Sequence, residues 1–206
     1  RQFTHSLVFI PVGGLICAAI CYFILWHRVP FARLALYATL GYATHGLLDS
    51  CTSYGTQLFW PLTDYRVSWN NMSIIDPIMT LTLLALIVAA TIRRNVTLGR
   101  LGVAWVLAFV SFGTVQNLRA TTAAQTLVAS RGHEPTRLEP KPGLGNLLLW
   151  KVVYEYDGRY YVDAVRAGLT INIYEGTSVE KLDLARHLPW LDPASQQAAD
   201  IERFRW

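Results

Sequence analysis

Apolar residues run in four long blocks through the first 118 positions, then give way to short segments in which apolar and polar residues alternate. A helix needs about 20 mostly apolar residues to cross a hydrocarbon core of about 30 Å. Residues 7–26 meet this without one charge. Residues 31–48 form a second block, with Arg33 near its start, where a long side chain can snorkel, and His45 near its end. Residues 74–92 form a third, interrupted only by Asp76, and residues 101–118 a fourth, free of charge and closed by Gln116 and Asn117. Each block alone fits a buried core helix, but four within 118 residues predict a membrane all-α bundle of about four transmembrane helices.

The remainder reads as a small C-terminal α+β extramembrane domain. Residues 119–131 are expected to continue the fourth helix beyond the bilayer, and 135–145, with three prolines and two glycines, reads as a linker. Residues 147–156 and 159–165 are rich in Val, Tyr and Leu and flank Asp157-Gly158, a strong two-residue hairpin signal. A third strand is expected at 169–174. Asp192-Pro193 reads as an N-cap with proline at the first helical position, opening a helix towards Phe204. The expected division is a transmembrane helical domain at 1–118, a helical extension and linker at 119–146, and the α+β domain at 147–206.

Charge sharpens this division. The chain has 206 residues, 52% of them hydrophobic, and a mean hydropathy of +0.28, too apolar for an ordinary soluble domain. Its net charge of +4 lies wholly in residues 1–118, which hold seven Arg against three Asp; residues 119–206 balance eleven basic against eleven acidic residues. Basic residues in short loops between spans account for that excess, and no basic stripe on a polar domain offers itself to nucleic acid. The turns at 27–33 and 93–100 carry two and three arginines and are expected on the cytoplasmic side, whereas the loop at 49–73 has only Asp49, Asp64 and Arg66. Four spans then place Arg1, this loop and the tail on the opposite face, the periplasm of a bacterium's cytoplasmic (inner) membrane. Cys17 and Cys21 read as small residues of an apolar run, and Cys51 is a weak candidate near the polar groups.

Ionisable groups within spans are functional candidates by default. His5 stands just before the first block, His45 and Asp49 end the second and Asp76 begins the third, so all four are expected at one membrane face. His45 and Asp49 are spaced i and i+4, so both project from one side of a helix and can reach a single ion. Imidazole with carboxylate suits a divalent metal, zinc first and manganese or iron as alternatives. Such an ion activates a bound water and polarises a phosphoryl or carbonyl oxygen, while a carboxylate such as Asp76 can take the water's proton. Plainer readings stand beside these. Asp76 before Pro77 is a good N-cap, His5 fits an interfacial histidine, and Asp64 and Arg66 can pair with one another. Trp60, Tyr65 and Trp69 read as an interfacial aromatic belt, and His133 and His187 as surface histidines.

The segments Arg1-Gln2-Phe3-Thr4-His5-Ser6 and Ile75-Asp76-Pro77, with the run His-Gly-Leu-Leu-Asp-Ser-Cys-Thr-Ser-Tyr-Gly-Thr-Gln-Leu-Phe-Trp-Pro from His45 to Pro61, resemble the membrane-bound metal-dependent hydrolases of the YdjM type. The resemblance is close over roughly the first 80 residues. It implies His5, His45 and Asp49 as ligands, with Asp76 an acidic partner, in a metal-dependent hydrolysis. With the chemistry above, the candidate metal ligands are His5, His45, Asp49 and Asp76, and the candidate catalytic carboxylates Asp49 and Asp76. Tyr54 within the motif and Arg66 in the same loop are the candidate substrate-binding residues. Members of that family carry an earlier apolar segment, a Pro-Asp-x-Asp motif and a His ahead of the position of Arg1. The chain therefore reads as a processed product or fragment, with further ligands expected before Arg1 or from another copy in a homo-oligomer.

The leading expectation is a hydrolase acting on a membrane lipid or lipid-linked phosphoester at the periplasmic face. The alternative is a non-enzymatic scaffold or assembly factor, its metal structural, in which residues 135–206 bind a protein partner. Transport is weaker, since no span is broken at mid-membrane.

Overall fold

The first helix cannot start before Pro11 has found a place, because proline lacks the N–H that a helix interior requires but fits its first turn. Two 3-10 turns, Phe3–His5 and Leu7–Phe9, therefore lead into α1 (Ile10–Ile24), with Pro11 in its opening turn. The computed structural model of the chain describes residues 3–25 and 28–204. Arg1, Gln2, Trp26 and His27, to which the first motif, the end of the first span and the first basic turn extend, lie outside the described residues, as do Arg205 and Trp206.

Helix α2 (Phe31–Ser50) follows Pro30, whose extended ψ of 134° sets the turn into it. Helix α3 (Pro77–Arg93) is capped by Asp76, whose Oδ1 accepts the amide N–H of Met79 at 3.1 Å, and it ends on Arg94 in the left-handed region (φ 49°). Asn95 caps α4 (Val96–Ser130) by accepting from Thr97 N at 2.8 Å. The helices pair as two hairpins, α1 with α2 and α3 with α4. Small residues bring the first pair together. A Cβ on Gly13 would lie 2.4 Å from the Tyr42 ring, and one on Gly14 would lie 2.6 Å from the Thr39 backbone. Close approach through glycine is a device of membrane helices, where apolar bulk gains nothing over lipid. The outer faces of α1 and α3 are left open, with Ile16, Ile20, Phe23, Leu81 and Leu84 all exposed. Such a surface belongs in lipid.

Two described helical segments, Leu7–Ile24 and Val96–Ser130, are long and apolar enough to cross a membrane; Pro77–Arg93 is apolar but shorter. Helix α2 has the length, but Arg33, Thr39, Thr44, His45 and Asp49 dilute its apolar content. The structure thus supports a membrane helical part, with fewer clear spans than the four expected.

The loop at 51–76 ties the hairpins at one end. Trp69 N donates to Ser50 O, Asn71 N to Cys51 O, and Asn117 Nδ2 reaches from α4 to Asn70 O. Gly113 of α4 is needed where this loop touches, since a Cβ there would sit 2.0 Å from Asn71 O. Cys51, Met72, Met79, Phe109 and Leu147 make a buried cluster beneath it, so Cys51 is a core thiol.

Beyond the loop, α4 carries a four-stranded antiparallel meander, β1 (Arg137–Gly143), β2 (Asn146–Tyr156), β3 (Arg159–Ala167) and β4 (Ile171–Glu180), in that order. Asp157 and Gly158 both have positive φ (47° and 69°), as a tight two-residue hairpin requires. The run 135–145, read as a linker, contains β1 instead. It is an edge strand, and Pro140 and Pro142 are two residues apart, so both missing N–H groups fall on one side of the strand. The expected third strand at 169–174 begins at Ile171 and runs on to Glu180. At the C-terminus, Asp192 accepts from Ala194 N in a turn, and the last helix, α6 (Gln196–Phe204), starts after it; a short α5 (Leu184–His187) precedes both.

Ala120, Ala123, Ala124 and Val128 of α4 pack on Trp150, Val152, Tyr154, Val165 and Ala167 of the sheet. Arg131 crosses this junction with a two-pronged pair to buried Asp163 (2.8 and 3.0 Å) and a bond to Tyr154 OH. The Asp163 hydrogen bonds hold the Arg131 guanidinium above its ordinary pKa, and burial pushes the Tyr154 phenol up. His133 is half-buried here, stacked on Tyr156 with centroids 4.2 Å apart, its Nδ1 3.0 Å from Tyr154 OH. Its neighbours make it part of a packed aromatic group, which a lone histidine in sequence does not reveal. His187 is exposed beside Glu180.

Candidate functional site

The start of α1 and the end of α2 lie side by side because the helices are antiparallel, and this brings His5 to His45. Three contacts fix the approach. Tyr42 OH donates to Thr4 O at 2.7 Å, Leu7 N donates to Leu58 O at 2.9 Å, and Gly46 leaves room for the His5 carbonyl, which would lie 2.5 Å from a Cβ there. The imidazole rings stand 4.4 Å apart, with His45 Nε2 2.9 Å from His5 Nε2. One turn further along α2, Asp49 places Oδ2 3.8 Å from His5 Nε2. The same oxygen accepts from Thr56 Oγ1 at 2.6 Å, and Thr4 Oγ1 lies 2.9 Å from His5 Nδ1.

Two nitrogens and a carboxylate oxygen thus converge from two segments, the first 3-10 turn and the end of α2, each oriented from behind by a hydroxyl or a helix. A hydroxyl on Nδ1 leaves Nε2 as the atom presented, the usual arrangement of a metal-binding histidine, and the Thr56 bond to Asp49 is the corresponding outer contact for the carboxylate. In chemistry the set fits a divalent ion. In spacing it is closed: nitrogens each about 2.0–2.1 Å from a tetrahedral ion stand roughly 3.4 Å apart, whereas these are within hydrogen-bond distance. Accordingly, as they stand, no group of three or more His, Cys, Asp and Glu among the described residues is arranged to hold an ion. Parting the two rings by about half an ångström would open the set. His45 is exposed, and the side chains of His5 and Asp49 are 16% and 14% exposed, so the opening faces outward.

The other expected residues are placed differently. Asp76 is 3% exposed and serves as the α3 cap; among the described residues no hydrogen bond or ion pair joins it to His5, His45 or Asp49. It lines a cavity of about 630 Å³ between α3, α4 and the β1–β2 turn. Tyr54 is exposed and Arg66 half-buried on the 51–76 loop, where Thr56 and Val67 form an antiparallel bridge. Trp60, Tyr65 and Trp69 are exposed on the same loop. Thr4, Tyr42, Gly46 and Thr56 were not legible as site residues. Only the glycine directly after His45 gave a signal, since an interior helix glycine marks a close approach.

The fold is that of a helical membrane protein whose converging polar groups and sheet share one end. By sequence, the family described as YdjM inner membrane protein matches residues 1–120, and the chain belongs to that family. The match covers α1 to α3 and α4 as far as Ala120, and leaves the sheet outside it. Inner membrane protein YbcI of Escherichia coli (strain K12) is 41% identical over 68 residues, 32% of this chain and 38% of that relative, so the chain matches well under half of its length. No solved structure matches. Membership of an inner membrane family accords with the lipid-facing apolar surfaces and with a place in a bacterial inner membrane.

Proposed function

We propose that the chain is a membrane-embedded metal-dependent hydrolase acting on a lipid or lipid-linked phosphoester. The observation that carries this reading is the convergence of His5 Nε2, His45 Nε2 and Asp49 Oδ2. These three residues would hold a divalent ion, zinc before manganese or iron, which when bound supplies an activated water and a polarised ester oxygen. The chain's own groups do the positioning. Thr56 fixes the Asp49 carboxylate, Thr4 sets the His5 ring, and Tyr54 and Arg66 lie on the loop that a substrate meets. Asp76 belongs to this reading as the carboxylate for proton transfer only if substrate binding brings it closer; as a cap it already has a role.

In this reading all four apolar blocks cross the membrane, residues 1–118 form the span region, and of residues 119–146 the part before β1 joins it to the extramembrane sheet. The arginines at 93–100 keep their turn cytoplasmic, which puts the site and the sheet on the periplasmic side. A lipid substrate explains why a hydrolytic site would be set at the end of a span. The test is elemental analysis of purified protein, wild type beside Asp49→Ala, with a screen of phospholipid and prenyl-phosphate hydrolysis. About one ion per wild-type chain, absent from the variant and accompanied by turnover, is expected; equal and negligible metal in both overturns the reading.

One observation favours a scaffold instead. Strand β4 is an exposed edge, with Ile171, Ile173, Tyr174 and Val179 all open and Leu169 fully so, a surface on which a partner strand or helix could add. Under that reading, deletion of residues 135–206 abolishes function while His45→Ala leaves it intact.

A further inference from the structure

The cavity at Asp76 has a composition that the hydrolytic reading does not use. Its floor is buried: Asp76, Phe109 and Leu147 are 3%, 8% and 7% exposed. Its rim is apolar and open, with Ile78, Phe112 and Leu148 at 59%, 49% and 42%. That rim is continuous with the exposed apolar face of α3 and α4, where Leu81, Leu107 and Val115 also stand open. In a protein of an inner membrane family this face meets lipid, so the cavity opens towards acyl chains and a water-soluble ligand would have to cross the rim. Its volume lies within the range of about 300–1,000 Å³ common for small-ligand pockets.

Two polar side chains line the cavity: Asn146, exposed at the β1–β2 turn with its Oδ1 accepting from Leu148 N and Leu149 N, and, on the buried floor, Asp76. Asp76 Oδ1 is held by the Met79 amide at the α3 N-terminus, where the helix dipole favours negative charge. Its other oxygen accepts no hydrogen bond among the described residues, and the side chain lines the cavity. A carboxylate on an apolar floor asks for a hydrogen-bond donor and rejects a bare phosphate. We infer that the cavity takes one acyl chain of a membrane lipid whose headgroup presents an N–H or O–H donor to Asp76. The inference concerns occupancy of this cavity and needs none of the three converging donors, so its failure and that of the hydrolytic reading are separately visible.

Trp105 lines the same cavity, its Nε1 bonded to Met79 O at 3.3 Å, and so reports on the occupant. The experiment uses the full chain in phosphatidylcholine vesicles doped with lipids brominated in the acyl chain: phosphatidylethanolamine for the ammonium donor, diacylglycerol for the hydroxyl, and phosphatidylcholine as the donor-free control. Subtracting the fluorescence of Trp105→Phe isolates Trp105. Half-quenching is expected at a mole fraction about tenfold lower for at least one donor lipid than for the control, the worth of a hydrogen bond to a charged group; the donor with the lower value names the headgroup. Asp76→Asn keeps the cap, because asparagine caps as well as aspartate, and should lose that preference. Ala108→Phe, a change on the cavity wall, should weaken quenching by every lipid. Equal quenching by all three lipids in the wild type, or a preference that survives both substitutions, overturns the inference.

Discussion

Between α1 and α2 the closest contact is made by what is missing: Gly13 and Gly14 have no side chain, and Tyr42 and Thr39 occupy the space. Between α4 and the sheet the contact is made by bulk, with Trp150, Val152, Tyr154 and Val165 all buried to 1% exposure or less. The difference follows from the surroundings each part is built for. In lipid, apolar area gains little by leaving the solvent, so backbones approach and polar groups do the holding; in water, covering area is itself the driving force. The polar groups divide in the same way. Arg131 and Asp163 answer one another as opposite charges at the sheet, whereas His5, His45 and Asp49 bring two imidazoles within hydrogen-bond distance beside a carboxylate.

The largest effect should come from emptying the sheet's core. Trp150→Ala is expected to lower stability by about 3–5 kcal/mol, read as protease sensitivity of residues 137–180 in detergent, with metal binding at the far hairpin retained; simultaneous loss of both would show that the two parts are one folding unit. Next, His45→Ala and Asp49→Ala should each reduce turnover by more than about 100-fold, since even an outer-sphere contact of a metal site is worth about 10–100-fold. Trp150 fluorescence should not change. Full turnover in both variants would reduce the converging donors to packing.

Thr56→Val should weaken metal affinity by about 10–100-fold through loss of the Asp49 contact, measured by competition with a chelating dye. Affinity equal to wild type would mean that Asp49 is oriented by α2 alone. Gly14→Leu forces the first hairpin apart at Thr39, and a cost of about 1–3 kcal/mol is expected in detergent-denaturant unfolding; no change would show that the helices separate freely. The smallest effect is at the sheet edge. Burial acts to raise Glu139, but hydrogen bonds from Arg137 and Lys141 outweigh it and hold the carboxyl below its ordinary pKa. Its contribution is therefore present at neutral pH and lost as pH falls through that lowered value. Being partly exposed, it is worth about 0–1 kcal/mol, so Glu139→Gln should destabilise slightly at pH 7 and not at all in strong acid.

Much of this was legible in the residue pattern. The α1, α3 and α4 blocks, the Asp157-Gly158 hairpin and the meeting of His5 with the His45 and Asp49 pair all follow from periodicity, turn chemistry and antiparallel helices. The β1 strand was not, because three prolines read locally as a linker, and only the sheet edge makes the two within the strand, Pro140 and Pro142, admissible. Asp76 shows the limit for the site. An aspartate before a proline satisfies the rule for a cap and the rule for an acidic ligand equally, and only its place at α3 and on the cavity wall separates them. Thr56 was invisible because its bond to Asp49 depends on a loop reversing direction at Gly55 (φ 78°).

Helix α4 runs 35 residues without interruption, from the arginine-bearing turn to Ser130 beside the sheet, about 50 Å of rigid rod. With no hinge along it, the attitude of the sheet is the attitude of the rod. A lean of only about 10° sweeps its far end through roughly 9 Å, so a bilayer that thins or thickens, and thereby changes the tilt of its spans, would be felt as a displacement of the sheet.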